Sequence, residues 1–332
     1  MPDFKRWLLN AAKFSNDLPQ GEFTWSPAKH FLFKRCLRAW YFRHYLAQGG
    51  WDLHANDNSM QCYLEKYLTT FHAWIGNVLE SAMASALSNI AGVRVEKERE
   101  EALIEEMQIH VSTSMITAEQ QLSREEYLHD PKKLSFAELH YQTGEFSCVE
   151  ELLSEAYRQF RLFFELFTDS HLPRLIVSID PLSWHLPPEH KTFYYHEIPV
   201  SLRPWIFAVS RKKLIAFEFR SYPDPEDLTG FSNTEDNTES GLKEKTLATW
   251  TASRYREHTT EIHSIRFSGE GLFPRKIIPS QLNSSLVGKS AKEMLKKINH
   301  GRGVAIEQFP CTEKAEICLS CHFRGLCSKL GR

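Results

Sequence analysis

The chain has 332 residues, 42% hydrophobic and 25% charged, with a formal net charge of −2. That length allows one large domain or two ordinary ones, and that composition supports a folded core and a soluble chain. No apolar run approaches the roughly 20 residues of a membrane span, overall charge gives no attraction to nucleic acid, and seven cysteines in so long a chain are not a small disulfide scaffold.

The first 23 residues carry basic side chains and only short apolar pieces, so no secretory signal is expected. Ser26-Pro27 reads as N-cap and first helical position, opening a helix over 27–46 that stops at Gly49-Gly50. Phe33, Trp40, Tyr41 and Phe42 alternate in it with Lys34, Arg35, Arg38 and Arg43. Further helices are expected over 61–89 and 96–121, the second acidic at its start. Ser147-Cys148-Val149-Glu150 reads as a capping box for a helix reaching 167. The character then changes. Strands are expected over 174–180, 192–198, 200–209 and 213–219, where β-branched and aromatic residues alternate with turn residues. A polar, acidic loop over 223–240 follows, then a helix over 242–258, a strand over 261–267 and a helix over 290–299. The order implies one α/β domain over 1–332, with a helical N-terminal part, a helical insertion over 96–170 and a cysteine-rich tail over 305–332.

That tail holds Cys318-x-x-Cys321-x5-Cys327. Short spacers aim several sulfurs at one point, and the fourth ligand must then come from elsewhere. Cys36, on the first helix, is the candidate, and it would staple that helix to the tail. Four thiolates suit an iron–sulfur cluster, and here a 4Fe-4S cluster is expected. Zinc is the rival, with His30 or His322 as added ligands. Ordinary buried cysteines are the plain alternative. Cys311 lies outside the short-spaced trio and reads as a bystander, and Cys62 and Cys148 as helix residues. An odd cysteine count with a tight cluster suits a reducing, cytoplasmic compartment.

The basic and aromatic residues of the first helix have two readings. Lys34, Arg35 and Arg38 could hold phosphates while neighbouring rings stack bases. Alternatively the rings are core and the cations face solvent.

Taken together, these segments resemble the PD-(D/E)XK nuclease superfamily. The similarity is to its iron–sulfur RecB-like branch, with the AddB helicase–nuclease subunits and the CRISPR adaptation exonucleases. Cys36-Leu37-Arg38-Ala39-Trp40-Tyr41-Phe42 matches that branch's first cysteine helix, with Leu37 where a proline is usual. Ile317 to Cys327 matches its tail. The family's Gly-x-x-x-His frame falls on Gly76 to Glu80, with Glu80 at the histidine position. Its (Asp/Glu)-x-Lys falls on Glu218-Phe219-Arg220. Counting back thirteen residues puts Trp205 where the family has an aspartate, and Thr246 falls where its next helix often has a glutamine.

The resemblance implies a mixed central sheet flanked by helices, and Mg²⁺- or Mn²⁺-dependent cleavage of DNA. That chemistry needs hard oxygen ligands beside the phosphate. Trp205 offers none, and Arg220 does not give up its proton as a lysine can. Glu218 remains, with Glu80 as a second carboxylate. The sequence therefore points to a pseudonuclease that binds DNA or scaffolds a complex in repair, recombination or defence, with DNA and a protein of a DNA-processing complex as partners. The alternatives are an active nuclease with a rearranged site on Glu80, Glu218 and Asp180, and an interaction protein that binds no nucleic acid.

Overall fold

A computed structural model describes residues 23–52, 54–122, 134–141, 146–180, 183–186, 190–210, 212–221, 239–268, 271–299, 306–319 and 321–331. Nearly all of the N-terminal stretch in which no secretory signal is expected, most of the expected acidic loop and Arg211 lie outside the described residues.

The first helix is two helices. Ser26 caps α1 (Pro27–Arg35) by accepting from Lys29 N at 3.2 Å. Cys36 then turns extended, at φ −160° and ψ 112°. Its N–H still closes α1 on Leu32 O at 2.9 Å, and its carbonyl accepts from Trp40 N to open α2 (Leu37–Tyr41). A π-helical turn over Phe42–Leu46 follows. The helix expected over 61–89 is also split, into α3 (Asp57–Lys66) and α4 (Phe71–Asn89). Thr70 causes the break by capping α4, its side chain accepting from Ala73 N.

Helix α5 (Glu96–Leu122) runs as expected, and α6 (Ala137–Tyr141) follows. Helix α7 (Val149–Asp169) has Cys148 as N-cap. Its capping carboxylate is Glu151, one residue beyond the expected Glu150, and it accepts from both Ser147 N and Ser147 Oγ at 2.7 Å. Residues 174–177, expected to begin a strand, belong to helix α8 (Leu172–Val177). Pro173 is pre-set for a first helical turn, and burial of Leu172, Ile176 and Val177 in the main core outweighs their β-propensity.

The strands are β1 (Trp184–His185), β2 (Lys191–Tyr195), β3 (Ile198–Leu202), β4 (Ile206–Val209) and β5 (Lys213–Ser221). The run expected over 200–209 is therefore divided between two sheets. Strands β2 and β3 form a separate hairpin, turned at His196 and Glu197, which both have positive φ. Helix α9 (Glu239–Arg254) then crosses to β6 (Thr259–Ser268), which pairs parallel with β5. Strand β7 (Gly271–Ile277) and helices α10 (Ser284–Asn299), α11 (Ala315–Leu319) and α12 (Arg324–Lys329) complete the chain. The main sheet is thus mixed, five strands in the order β1-β4-β5-β6-β7.

One sheet face packs on α4, α5, α7 and α8, through residues such as Leu79, Met107 and Phe163 against Phe217, Phe219 and Phe267. The segment expected as a helical insertion therefore builds a wall of the main core. The other face packs on Leu247 and Trp250 of α9. Helices α1 and α2 bury Phe33 and Trp40 against α10. Among the described residues no helix is long and apolar enough to cross a membrane.

Gly76 lets α4 approach β5 at backbone distance. A Cβ there would lie 3.1 Å from Phe219 O and 3.6 Å from Arg220 Cα. We predict that Gly76→Val destabilises the fold by about 1–3 kcal/mol, the usual cost of overpacking. A urea midpoint equal to that of the parent would show that α4 can move away freely.

Candidate functional site

Two places gather chemically capable side chains. The first is at the chain's tail. Cys36, Cys311, Cys318, Cys321 and Cys327 line one pocket, together with Arg38 and Phe323. The break at Cys36 is the local reason that α1 contributes a thiol, since an extended residue between two helices faces a direction neither helix offers. Arg38 is 7% exposed. Its Nε donates to Phe309 O at 3.0 Å, and its Nη1 donates to Gly331 O and lies 3.9 Å from Cys327 Sγ. One guanidinium thus ties two stretches of tail to α2.

The tail also rests on α3 and α6. Arg324 stacks 4.2 Å from the Tyr141 ring centroid and donates to Tyr141 O. Buried Glu65 meets Gly325, whose missing Cβ leaves room for the carboxylate. Burial pushes Glu65 up to about 7. Burial also raises the thiols of Cys321 and Cys327, and neighbouring thiols add to it; Arg38 pulls Cys327 the other way.

Four thiols around one space fit an iron–sulfur or zinc centre by donor chemistry. Among the described residues, however, no three or more His, Cys, Asp or Glu side chains are placed to hold a metal ion. His30 faces elsewhere, with Nδ1 2.6 Å from Ser290 Oγ, and neither His30 nor His322 lines the pocket. Cys311, expected as a bystander, is on the pocket wall. Cys62 lies outside it, and its thiol donates to Phe42 O at 3.2 Å. Cys148 is exposed.

The second place is the α9 face of the sheet. Alternation along β5 puts Leu214, Ala216, Glu218 and Arg220 on that face. The parallel register sets Ser264 beside Glu218 and Arg266 beside Arg220. The face is therefore apolar at one end and polar at the other. Glu218 is 2% exposed. Its Oε1 accepts from Arg220 Nε at 2.6 Å and pairs with the same guanidinium's second nitrogen, and its Oε2 accepts from Ser264 Oγ at 3.1 Å. One step beyond the last β4–β5 pair, Ile206 with Phe217, Trp205 stands level with Glu218.

Glu80 sits one helical turn beyond Gly76. Burial, reinforced by the Glu218 carboxylate and opposed by Arg203 and Lys243, pushes it up to about 7. Glu244 on α9 is raised in the same way, by burial and then by Glu218, with Ser240, Arg220 and Arg266 opposing. Glu80 and Glu244 therefore each feel the Glu218 carboxylate. Sequence reading missed Glu244, although it shares the buried stripe of Leu247 and Thr251 at i+3 and i+7, and an acid on such a stripe is a signal. Thr246 spends its hydroxyl on Leu242 O at 2.6 Å. Asp180 is an exposed turn residue whose carbonyl accepts from Ser183 N.

The basic helix divides. Lys34 pairs with Glu293 at 2.8 Å on the surface, and Arg35 is exposed. The Arg38 guanidinium faces the tail and not solvent, which corrects its expected place among the phosphate ligands. Trp40 is buried and Tyr41 stacks on Phe309 at 4.5 Å, so these rings are core. A different aromatic set is exposed. Trp51, 66% exposed, meets Tyr63 at 5.8 Å, Tyr63 meets Tyr67 at 5.0 Å, and Lys66 Nζ lies 5.5 Å from the Tyr67 ring centroid.

No protein-family model and no curated protein matches the chain. A solved structure described as "Crystal structure of SSO0001" is similar at 10% identity over 66% of this chain and 85% of that one, with a TM-score of 0.29. A score that low carries no argument about fold or function.

Two predictions follow from the acid face. Arg220→Ala leaves Glu218 buried without its cation and should cost about 3–5 kcal/mol, with Arg220→Lys costing less. Equal chemical-denaturation midpoints for parent and Arg220→Ala would contradict it. Glu80 titrates higher folded than unfolded, so folding takes up a proton between about pH 4.5 and 7 and stability falls as pH rises through that window. Glu80→Gln removes this loss. Its stability relative to the parent should grow with pH, by on the order of 2 kcal/mol at neutrality. Parallel stability–pH curves would mean that Glu80 is not raised.

Proposed function

We propose that this chain is one PD-(D/E)XK-like domain that binds DNA and has little or no nuclease activity. In this reading it serves repair, recombination or defence, alone or within a DNA-processing complex. A 4Fe-4S cluster on Cys36, Cys318, Cys321 and Cys327 would staple its N-terminal helices to its tail. The observation that carries the reading is the state of Glu218. Its carboxylate is fully engaged by Arg220 and Ser264, and Trp205 stands level with it where a hard cation would need an oxygen. Arg220 can hold an anion in place, but it cannot take a proton from water.

The thiol set supports the cluster by its donor chemistry, since both candidate histidines lie off the pocket wall. Bound iron–sulfur would supply a covalent cross-link between parts of the fold; the chain's own contribution is to fix Cys36 at a helix break and Cys327 under Arg38. For DNA, the exposed ladder of Trp51, Tyr63 and Tyr67 with Lys66 offers ring faces and a cation, which suits single strands. Lys34 remains a surface cation paired with Glu293 of α10, and Arg35 is exposed on α1.

A second reading has one observation in its favour. Glu80 and Glu244 both lie within electrostatic reach of Glu218, so Mg²⁺ or Mn²⁺ could draw on these carboxylates if Arg220 released Glu218 and the side chains then converged. Glu80 and Glu244 would then have to give up their raised pKa, which a divalent cation does by its own charge.

The test begins with anaerobic purification, iron assay and absorption spectrum. Iron in near-stoichiometric multiples and a brown protein are expected; zinc with negligible iron would remove the cluster. Single-stranded DNA should bind at low salt with an affinity that falls steeply as salt rises. Trp51→Ala should weaken it by about 1–3 kcal/mol. Cleavage with Mg²⁺ or Mn²⁺ should be absent or very weak. Robust cleavage abolished by Glu218→Ala would replace the first reading by the second.

A further inference from the structure

A four-thiolate centre needs four sulfurs, and this pocket offers five. The fifth, Cys311, has a definite place among the others. It belongs to the same apolar cluster as Cys36, Cys321 and Cys327, packed under Phe42 and Phe323. The residue after it, Thr312, presents its carbonyl 4.0 Å from Cys318 Sγ. The residue two before it, Phe309, is held by Arg38 Nε, and the same guanidinium reaches Cys327 Sγ and Gly331 O. Arg38 therefore clamps the stretch carrying Cys311 and the stretch carrying Cys327 to one point.

We propose that Cys311 is a reserve ligand of the thiol pocket, able to take the place of Cys327 on a thiophilic metal centre. This rests on the reading of the pocket as a metal centre. The exchange is a ligand substitution without redox change. Cys311 loses its proton as its sulfur bonds to the metal, the Cys327–metal bond breaks, and Cys327 takes up a proton. No electrons are gained or lost. Arg38 would hold both segments during the exchange, so the pocket need not open. The consequence is a centre that tolerates loss or alkylation of one of its thiols.

The experiment uses the full chain, purified anaerobically, as parent, Cys311→Ser, Cys327→Ser and the double variant. Iron and zinc content are measured, and thiols are mapped by iodoacetamide labelling and mass spectrometry. Exposed Cys148 serves as the internal control for labelling. In the metal-loaded parent, Cys311 should label and Cys327 should be protected. Cys327→Ser should keep most of its metal, with Cys311 now protected, and the double variant should fall to the level of chelator-stripped protein. Cys327→Ser as empty as the double variant, with Cys311 still labelled, would overturn the proposal.

Should Cys327→Ser fail to fold, Cys311→Ser decides. It should load like the parent but release metal to a chelator several-fold faster, because no fifth thiol recaptures a partly detached centre. An unchanged release rate would overturn the proposal. A parent without iron or zinc would remove the metal-centre reading itself, an outcome distinct from either of these.

Discussion

Helix α4 lies against the backbone of β5 because Gly76 has no side chain there. This close approach sets the spacing of the whole main core. It brings Ile75, Leu79 and Met83 onto the sheet face that Phe217 and Phe219 present. Helices α5 and α7 then pack on what α4 has positioned. The same approach carries Glu80 into the electrostatic reach of Glu218, although the two belong to different elements. It also brings His72 Nδ1 to 2.9 Å from Ser221 Oγ, a polar contact at the same end of β5. Core packing and the polar end of the sheet thus depend on one missing Cβ.

The two candidate sites differ in what holds them. The acid face is built on regular structure. Strand alternation and parallel register place Glu218, Arg220, Ser264 and Arg266 on one face, and α9 lays Glu244 across them. Such placement is rigid, and its cost is buried charge that must stay paired. The thiol pocket is built on irregular structure, a helix break at Cys36 and short helices separated by turns. Here two guanidiniums, Arg38 and Arg324, the Tyr141 ring and a buried glutamate supply the rigidity.

Much of this was legible in the sequence. The tail trio and Cys36 were visible as a pattern of spacing, and they do line one pocket. The thirteen-residue count from Glu218 to Trp205 falls one step beyond the β4–β5 pairing, because an antiparallel pair with a short turn converts sequence distance directly into register. What failed had physical causes. β-Branched residues at 174–177 became helical because Pro173 and burial overrode propensity. The helix over 27–46 was broken by Cys36, which carries no breaking signal as a residue type. Arg38 reads as a surface cation in any sequence window, and its carbonyl partners lie in the tail, 271 residues away for Phe309. Glu244 was hidden among the polar residues at the start of α9.

The contact between Arg38 and Cys327 spans 289 positions of chain. During synthesis at about 5–20 residues per second, that separation corresponds to tens of seconds. Throughout that interval α1 and α2 lack the tail, so Phe33, Trp40 and Phe42 can bury against earlier partners such as Ile198, Val200, Leu242 and Cys62 but not against Phe309 or Phe323. The sheet and its helices can assemble meanwhile, but the N-terminal helices complete their burial only when the tail arrives. On the ribosome, these aromatics therefore stay incompletely covered until the tail emerges, which makes them a stretch for a holdase chaperone to shield.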